Sequence, residues 1–366
     1  MIHAFRLAAL LVCAFAAAAE MPAFRSQEIA TGLGIVYAVA VADVNGDRKP
    51  DIVAINQRQI LWFENPSWTK HVVAEKITEK DNVAIAPADI DGDGKMDFAL
   101  GADWQATNTA SGGSLHWVSS DGKVHDLTTE PTLHRIRWAD VTGDGKPELI
   151  VAPLHGRGTK AADWTDGPGS RILVFTVPDK PADQRWPVEV ACDSLHIVHN
   201  FTAVGKEIWA ASAEGVYALS RSADGKWSKR LIAEGKPGEI KLGRVNGKRY
   251  LATVEPWHGT NLTLFEEAGA GPWKRTVAAT NLDQGHALGW GDFDGDGSDE
   301  LAVGWRGGKT YGLALYRLQE GKWTSSLIDD GVAVEDLAVA DLNGDGVPEI
   351  VAGGRATQNL RIYWRK

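Results

Sequence analysis

The sequence predicts an all-β chain that folds as a seven-bladed β-propeller, with calcium-binding hairpin loops and a ring closed by an N-terminal strand. Three observations carry this prediction. An acidic segment recurs along the 366 residues at a spacing of roughly fifty residues, the length of one four-stranded blade. A Trp-led pattern recurs between these segments, and the two ends of the chain complement each other.

The acidic segments have the same length and align without gaps. Two further segments keep the flanking pattern but lose the acids. The strongly acidic copies are ADVNGDRKPDIVA from Ala42, ADIDGDGKMDFAL from Ala88, ADVTGDGKPELIV from Ala139, GDFDGDGSDELAV from Gly291 and ADLNGDGVPEIVA from Ala340, and the weaker ones are NFTAVGKEIWAAS from Asn200 and LGRVNGKRYLATV from Leu242.

A second repeated element ends most units. A Trp is followed by polar and apolar residues in alternation, which is typical of a half-exposed strand at the edge of a sheet. We interpret these Trp side chains as blade packing. They begin WTKHVV at Trp68, WPVEVA at Trp186, WSKRLI at Trp227, WKRTVA at Trp273 and WTSSLI at Trp323.

The last repeat stops at RIYWRK, residues 361–366, before a fourth strand. The segment FRSQEI from Phe24 has the pattern of that missing strand. If it completes the last blade, the ring closes and the sheet edges that invite aggregation disappear. The expected organisation is therefore one propeller over residues 20–366.

Residues 1–19 are predicted to be a signal peptide. Arg6 precedes an apolar run from Leu7 to Phe15, and small residues follow at Ala17 to Ala19, which fits the cleavage pattern of secreted proteins. We therefore expect an exported protein, periplasmic or extracellular. Cleavage would leave Cys192 as the single cysteine, so stability must come from a large core and from bound metal rather than from a disulfide.

Charge and hydropathy exclude some partners. The formal net charge is −10, which disfavours nucleic acid because its binding depends on cationic contacts to phosphate. After the leader no apolar run is long enough to span a bilayer. The expected partner is a small-molecule or oligosaccharide ligand bound by a monomer, with no nucleic acid and no membrane span.

Each acidic segment places oxygen ligands at alternate positions around a glycine-containing turn, as calcium requires. An EF-hand would need a Glu at loop position twelve, but that position is apolar in every copy, as at Val303. The predicted calcium ligands are Asp43, Asn45, Asp47 and Asp51; Asp89, Asp91, Asp93 and Asp97; Asp140, Thr142, Asp144 and Glu148; Asp292, Asp294, Asp296 and Glu300; and Asp341, Asn343, Asp345 and Glu349.

The acidic loop followed by an apolar strand resembles the FG-GAP/VCBS repeat family of β-propellers, over nearly the whole mature chain. A closer likeness is to the propeller domain of aldos-2-ulose dehydratase, carried by WFENPSWTKHVV from Trp62, DNVAIAPADIDGDGKMDFALGADW from Asp81 and GHALGWGDFDGDGSDELAVGW from Gly285. This resemblance implies dehydration of an anhydro-keto-sugar, a carbon–oxygen lyase reaction. The cupin domains of the fungal enzyme are absent from this chain, so any step they perform is not expected here.

Propeller geometry predicts where chemistry could lie. The starts of first strands should surround the channel mouth, on the face opposite the calcium loops. Counting six residues back from the first ligand position of each repeat gives seven equivalent positions, and three of them are histidines: His134, His196 and His286. We expect these three to bind a divalent transition metal or magnesium. His155 and His258 are acid/base candidates. Candidates for holding a sugar ring are Trp104, Trp257, Trp305, Arg306 and Arg355.

Several alternatives remain open at this stage. The propeller could be a non-catalytic binding or adhesion module, or a purely structural one, and the channel-mouth histidines could simply bond strand-end carbonyl groups. A glycosidase would need a pair of carboxylates at a defined separation. Asp103, Glu239, Glu255 and Glu335 are candidates for such a pair.

Overall fold

A computed structural model describes residues 20–269 and 273–366. Over those ranges the chain forms 28 strands and no helix, so no helical membrane span is present there. The predicted signal peptide, residues 1–19, lies outside the described residues.

The strands form seven four-stranded antiparallel sheets, which we number as blades 1 to 7. Their strands are: blade 1, β2 Ala38–Ala42, β3 Asp51–Ile55, β4 Gln59–Glu64 and β5 Thr69–Glu75; blade 2, β6 Ala84–Ala88, β7 Asp97–Ala102, β8 Ser114–Val118 and β9 Val124–Thr129; blade 3, β10 Leu133–Ala139, β11 Glu148–Pro153, β12 Ser170–Phe175 and β13 Val188–Leu195; blade 4, β14 Asn200–Val204, β15 Glu207–Ser212, β16 Gly215–Arg221 and β17 Trp227–Ala233; blade 5, β18 Ile240–Val245, β19 Lys248–Glu255, β20 Asn261–Glu266 and β21 Lys274–Ala279; blade 6, β22 Gly285–Gly291, β23 Glu300–Arg306, β24 Tyr311–Gln319 and β25 Lys322–Asp329; blade 7, β26 Val334–Ala340, β27 Glu349–Gly354, β28 Leu360–Arg365 and β1 Phe24–Ala30.

The first strands of the seven blades form a closed ring. Each contacts the first strand of the next blade, and β26 of blade 7 contacts β2 of blade 1. The fold is therefore the predicted seven-bladed β-propeller, with the first strands around its axis.

Strand order in a blade follows from burial. In blades 1, 2, 3 and 7 the second strand is apolar after its first, acidic residue and is buried at every position, as expected for a strand covered on both faces. The outer strands, such as β21 with its pattern of exposed Lys, Arg and Thr, alternate or are mostly polar. The hydrophobic core therefore lies between neighbouring blades.

Blade 7 combines the two ends of the described chain. Strand β1 pairs antiparallel with β28, from Phe24 opposite Arg365 to Ala30 opposite Leu360. The Phe24 ring also packs edge-on against Phe293 of blade 6, with centroids 5.8 Å apart. The N-terminal strand thus both completes a sheet and contacts the neighbouring blade.

Each first strand connects two faces of the propeller. In blade 3, His134 lies near the start of β10, and Asp140 follows its end at the acidic loop. The acidic loops of the five strongly acidic repeats consequently share one face, and the starts of the first strands surround the channel mouth on the other.

Candidate functional site

A pocket of about 240 Å³ lies at the channel mouth, on the face opposite the acidic loops. This volume is below the usual range of about 300–1,000 Å³ for small-molecule sites, so the pocket suits a ligand the size of one sugar ring. It is lined by Tyr37, Trp104, Ala106, Thr107, His134, Leu154, His155, Trp164, His199, Trp257, His258, His286, Arg306, Glu335 and Arg355.

Three imidazoles in this pocket are close enough to share one ligand. The Nε2 atoms of His199 and His258 are 2.6 Å apart, and each of these residues offers a ring nitrogen within 4.8 Å of one on His286. They come from blades 4, 5 and 6. We call them the histidine triplet, which is a donor set suited to a divalent transition metal.

Neighbouring acceptors fix how two of these rings point. His199 Nδ1 is 3.1 Å from the Glu239 carboxylate and 3.2 Å from the Gly238 carbonyl oxygen, and His286 Nδ1 donates to the Glu335 carbonyl oxygen. Because Nδ1 of each ring is bonded to these acceptors, the Nε2 atom of each ring faces the pocket. This is the arrangement by which metal-binding histidines are usually oriented.

A local irregularity of the first strands turns pocket residues toward the axis. In β10, β22 and β26 the pairing register shifts around His134, His286 and Glu335 respectively, so each is the extra residue of a β-bulge. Bulges redirect side chains and are frequent beside functional sites. The same bulge in three blades explains why these side chains converge.

Burial keeps the imidazoles neutral. It lowers the pKa of His134, His199, His258 and His286 well below the ordinary histidine value, and nearby cations such as Arg135 and Arg306 add to the effect. Burial alone lowers the pKa of His155 to about 4. Neutral imidazole is the form that binds metals and accepts protons.

The pocket contains most of the buried polar side-chain atoms that lack a hydrogen-bond partner in the described part of the chain. There are six such atoms, and five belong to His134, His155, Trp257 and Arg306. Buried polar groups are normally satisfied, so a cluster of exceptions indicates a ligand. The Trp257 and Arg306 nitrogens are donors, so a group that satisfies them must offer hydrogen-bond acceptors.

Aromatic rings form the walls of the pocket. Trp104 stacks on His134 with centroids 4.7 Å apart. Trp164 stacks on His155 at 4.1 Å, and Trp257 meets His155 edge-on at 5.8 Å. Flat indole faces of this kind bind the apolar faces of sugar rings while polar neighbours bind the hydroxyl groups.

Trp164 was not among the predicted site residues. It lies on the long connection between β11 and β12, which reaches back over the pocket. Thr109 of blade 2 donates to the Thr159 carbonyl oxygen at 2.9 Å, and His196 contacts the Gly167 carbonyl oxygen at 3.1 Å. The length of this insertion was visible in the sequence, but where it packs was not.

The Glu335 carboxylate forms ion pairs with two arginines at the pocket edge. Arg306 is buried and donates to one carboxylate oxygen, and Arg355 donates to the other at 3.0 Å. Both predicted arginines therefore line the pocket, held in place by a carboxylate from blade 7.

The structure corrects the prediction for His196. That side chain points to the outside of the pocket, where it binds the Glu214 carboxylate and the Gly167 carbonyl oxygen. His199 takes the expected place. The turn between β14 and β15 contains only Gly205 and Lys206, so counting back from a full-length loop overshoots by three residues.

Three other site predictions are also revised. Trp305 does not line the pocket, because its ring packs with the apolar core cluster of blades 5 and 6 and against Gly312. His258, expected as an acid or base, belongs to the histidine triplet. His134, expected as a metal ligand, lines the pocket but lies outside the histidine triplet. The predicted residues that lie in the pocket as expected are Trp104, Trp257, His155, His286, Arg306 and Arg355.

The acidic loops share one hydrogen-bonded turn. Its first Asp accepts amide hydrogens from the residues three and five positions later, as Asp292 does from Gly295 and Gly297 at 2.8 Å each. Gly295 has a φ of 78°, which favours glycine. The last acid, Glu300, accepts the Phe293 amide at 3.1 Å. Equivalent bonds recur at Asp43, Asp89, Asp140 and Asp341.

The loops differ in what balances their charge. Asp89, Asp91 and Asp97 offer carboxylate oxygens within 4.8 Å of one another, as do Asp292, Asp294 and Glu300. In the second set the buried Arg317 guanidinium lies among the acids, 3.1 Å from Glu300 and in contact with Asp294. The oxygen donors suit calcium in both loops, but one loop already contains an internal cation.

Family comparisons agree with the repeats and the fold. Residues 43–100 and 292–352 match the family model of the FG-GAP-like repeat. The chain is thus a seven-bladed β-propeller that carries FG-GAP-like repeats. Residues 108–268, which include His134, His155, His199 and His258, match the family model of the β-propeller domain of aldos-2-ulose dehydratase. No curated protein sequence matches the chain.

Solved structures with low sequence identity share the fold. Virginiamycin B lyase from Staphylococcus aureus is 14% identical, with a TM-score of 0.58, covering 94% of this chain and 100% of the other. BBS1N, solved in complex with ARL6DN, is 12% identical, with a TM-score of 0.57, covering 94% of this chain and 97% of the other. At such identities the likeness establishes architecture alone.

Proposed function

We propose that this chain is an exported, calcium-stabilised propeller that eliminates water from a keto-sugar in the histidine-lined pocket. The observation that carries the proposal is the cluster of five unpartnered buried nitrogens in one ring-sized pocket with aromatic walls. A polyhydroxylated ring supplies the acceptor oxygens and the apolar face that such a pocket lacks.

The histidine triplet would hold one divalent transition ion. Two of its rings are already oriented by Glu239 and by the Glu335 carbonyl oxygen, which reduces the cost of forming a metal site. When bound, the ion supplies Lewis-acid polarisation of a ketone oxygen. Magnesium fits less well, because it prefers oxygen ligands.

His155 is the proposed base. Its Nδ1 atom is buried without a partner, and its lowered pKa keeps the ring neutral above pH of about 4. It would take the proton from the carbon next to the ketone. The hydroxyl group one carbon further would then leave as water with the proton returned by His155, and the electron pair of the broken C–H bond forms a carbon–carbon double bond conjugated to the ketone.

Arg306 and the indoles are proposed to hold the ring in place. Arg306 has one donor nitrogen without a partner and is fixed by Glu335, so it can bind a hydroxyl or ketone oxygen. Trp104, Trp164 and Trp257 close three sides. Fixing the ring in this way aligns the C–H bond with the base, which is a large part of enzymatic rate enhancement.

The comparisons support the substrate class. The family model that matches residues 108–268 is named for the β-propeller domain of aldos-2-ulose dehydratase. The calcium part of the proposal is supported separately by the shared turn of the acidic loops and by their clustered carboxylates.

The test is to add a 1,5-anhydro-keto-sugar or a 3-keto-glycoside to metal-loaded protein and to follow the ultraviolet absorbance of the conjugated ketone product. The proposal expects a rise that is lost in His155→Gln and kept in His125→Gln, since His125 lies on the outer strand β9. Ligand binding without any product in the wild type would favour a non-catalytic binding module and would overturn the lyase proposal.

A further inference from the structure

A second cavity, of about 340 Å³, lies along the propeller axis below the histidine pocket. Its walls come from the first strands β2, β10, β18, β22 and β26, and none of its lining residues lines the histidine pocket. We call it the channel cavity. It is a separate compartment, and the proposed reaction does not use it.

Charged side chains concentrate around this cavity. Arg135 and Arg137 lie two positions apart on β10, and Glu239 and Lys241 lie two positions apart at the start of β18. Residues two apart on a strand share a face, here the one toward the axis. Asp336 of β26 completes the set. Of these five, Arg137, Lys241 and Asp336 line the cavity itself, so two cations and one carboxylate face it.

Ion pairing within this set leaves an excess of positive charge. Arg135 pairs with Glu239 at 3.5 Å. Arg137 donates only to neutral acceptors, Asn200 Oδ1 at 2.8 Å and the Phe201 carbonyl oxygen at 3.0 Å.

Lys241 and Asp336 do not pair with each other. Among the described residues Lys241 has neither an ion pair nor a hydrogen bond from its side chain, and Asp336 accepts the Val39 amide at 3.0 Å but forms no ion pair. Lys241 is half-buried in the cavity wall, and a cation without a partner is unfavourable there because it is only partly hydrated. Burial, followed by repulsion from Arg137, lowers the pKa of Lys241 to about 8.

We propose that the channel cavity binds a small oxyanion between Lys241 and Arg137. An oxyanion such as phosphate, sulfate or a small carboxylate offers only acceptor oxygens, which match the ammonium and the remaining guanidinium donors. It would also remove the uncompensated positive charge. Asp336 faces the same space and repels the anion, so it keeps the affinity moderate.

Titration calorimetry of the full chain with inorganic phosphate, at constant ionic strength set by chloride, tests this. Wild type should bind phosphate, Lys241→Met should bind it about 10-fold more weakly or worse, and Asp336→Asn should bind it more tightly. Lys322→Met, on the exposed strand β25, is the matched control and should leave the affinity unchanged. Acetate and sulfate titrations then identify the preferred oxyanion.

Affinity should also fall as pH rises through about 8, because Lys241, which faces Arg137 and Asp336 and lies near Arg135 and Glu239, loses its proton there. The expected effects of Lys241→Met and Asp336→Asn on phosphate affinity are opposite, and neither effect depends on catalysis. No phosphate binding in the wild type, or equal binding by wild type and Lys241→Met, would overturn the proposal without affecting the lyase function.

Discussion

The Nε2 atoms of His199 and His258 lie 2.6 Å apart, although 59 positions separate them in the chain and they belong to different blades. One nitrogen must donate to the other, or both must bind a third atom. With His286 in reach, the second arrangement is that of the proposed metal centre. The first prediction concerns this centre.

Replacing a ring of the histidine triplet should abolish transition-metal binding. Purified His286→Gln should contain no transition metal, and Glu239→Gln should bind it about 10- to 100-fold more weakly because His199 loses its orienting carboxylate. His196→Gln is the matched control, since His196 lies outside the pocket, and it should retain metal. Elemental analysis and competition with a chelator measure this, and equal metal in all three variants would contradict it.

Trp164 should contribute to ligand binding through its indole face. Trp164→Ala removes the ring that stacks on His155 and should weaken sugar binding roughly 2- to 10-fold, as expected for one aromatic contact. Trp164→Phe keeps a flat ring and should restore most of the affinity. If the alanine variant binds the keto-sugar as tightly as the wild type, the insertion is not part of the site.

The acidic loops should respond unequally to calcium removal. Arg317 balances the loop between β22 and β23, so Arg317→Met leaves Asp292, Asp294 and Glu300 to repel one another unless calcium is bound. The variant should therefore lose more thermal stability in chelator than in calcium, by about 2–4 °C or more.

The control for this experiment is Lys95→Met, in the loop between β6 and β7. Lys95 is an exposed residue that pairs with Asp93 at 3.3 Å, a type of contact that contributes little. Scanning calorimetry with and without calcium measures both variants. If chelator affects neither the wild type nor either variant, the loops do not bind calcium.

The pocket insertion should loosen as pH rises. Partial burial by itself lowers the pKa of His196. The hydrogen bonds to Glu214 and to the Gly167 carbonyl oxygen, together with the negative charges of Glu214 and Asp163, outweigh burial and raise the net pKa above the ordinary 6.5. The contribution of charged His196 is thus fully present below 6.5 and is lost as pH rises through the folded-state pKa.

Amide exchange of residues 156–169 measures this effect. After correction for intrinsic rates, protection should be higher at about pH 6 than at about pH 8, and the difference should vanish in His196→Gln. An unchanged pH dependence in that variant would assign the effect to another group.

Much of the architecture was determined by the sequence itself. Seven repeats at a blade-length spacing, apolar second strands and alternating outer strands are local patterns, and in blades 1 to 6 the four strands follow one another in the chain. The sequence also predicted which residues lie at the pocket, because strand direction fixes which end of a first strand reaches the channel mouth. These residues are His134, His155, His286, Arg306 and Arg355.

Only the tertiary structure decided which imidazoles meet. His199 replaced His196 because a shortened turn changed the register of blade 4, and Trp305 turned into the core between blades while Trp164 entered the pocket from an insertion held by two neighbouring blades. The same is true of the unpaired Lys241 and of Arg317 among the loop acids. These features depend on distances between side chains far apart in the chain, which repeat spacing does not encode.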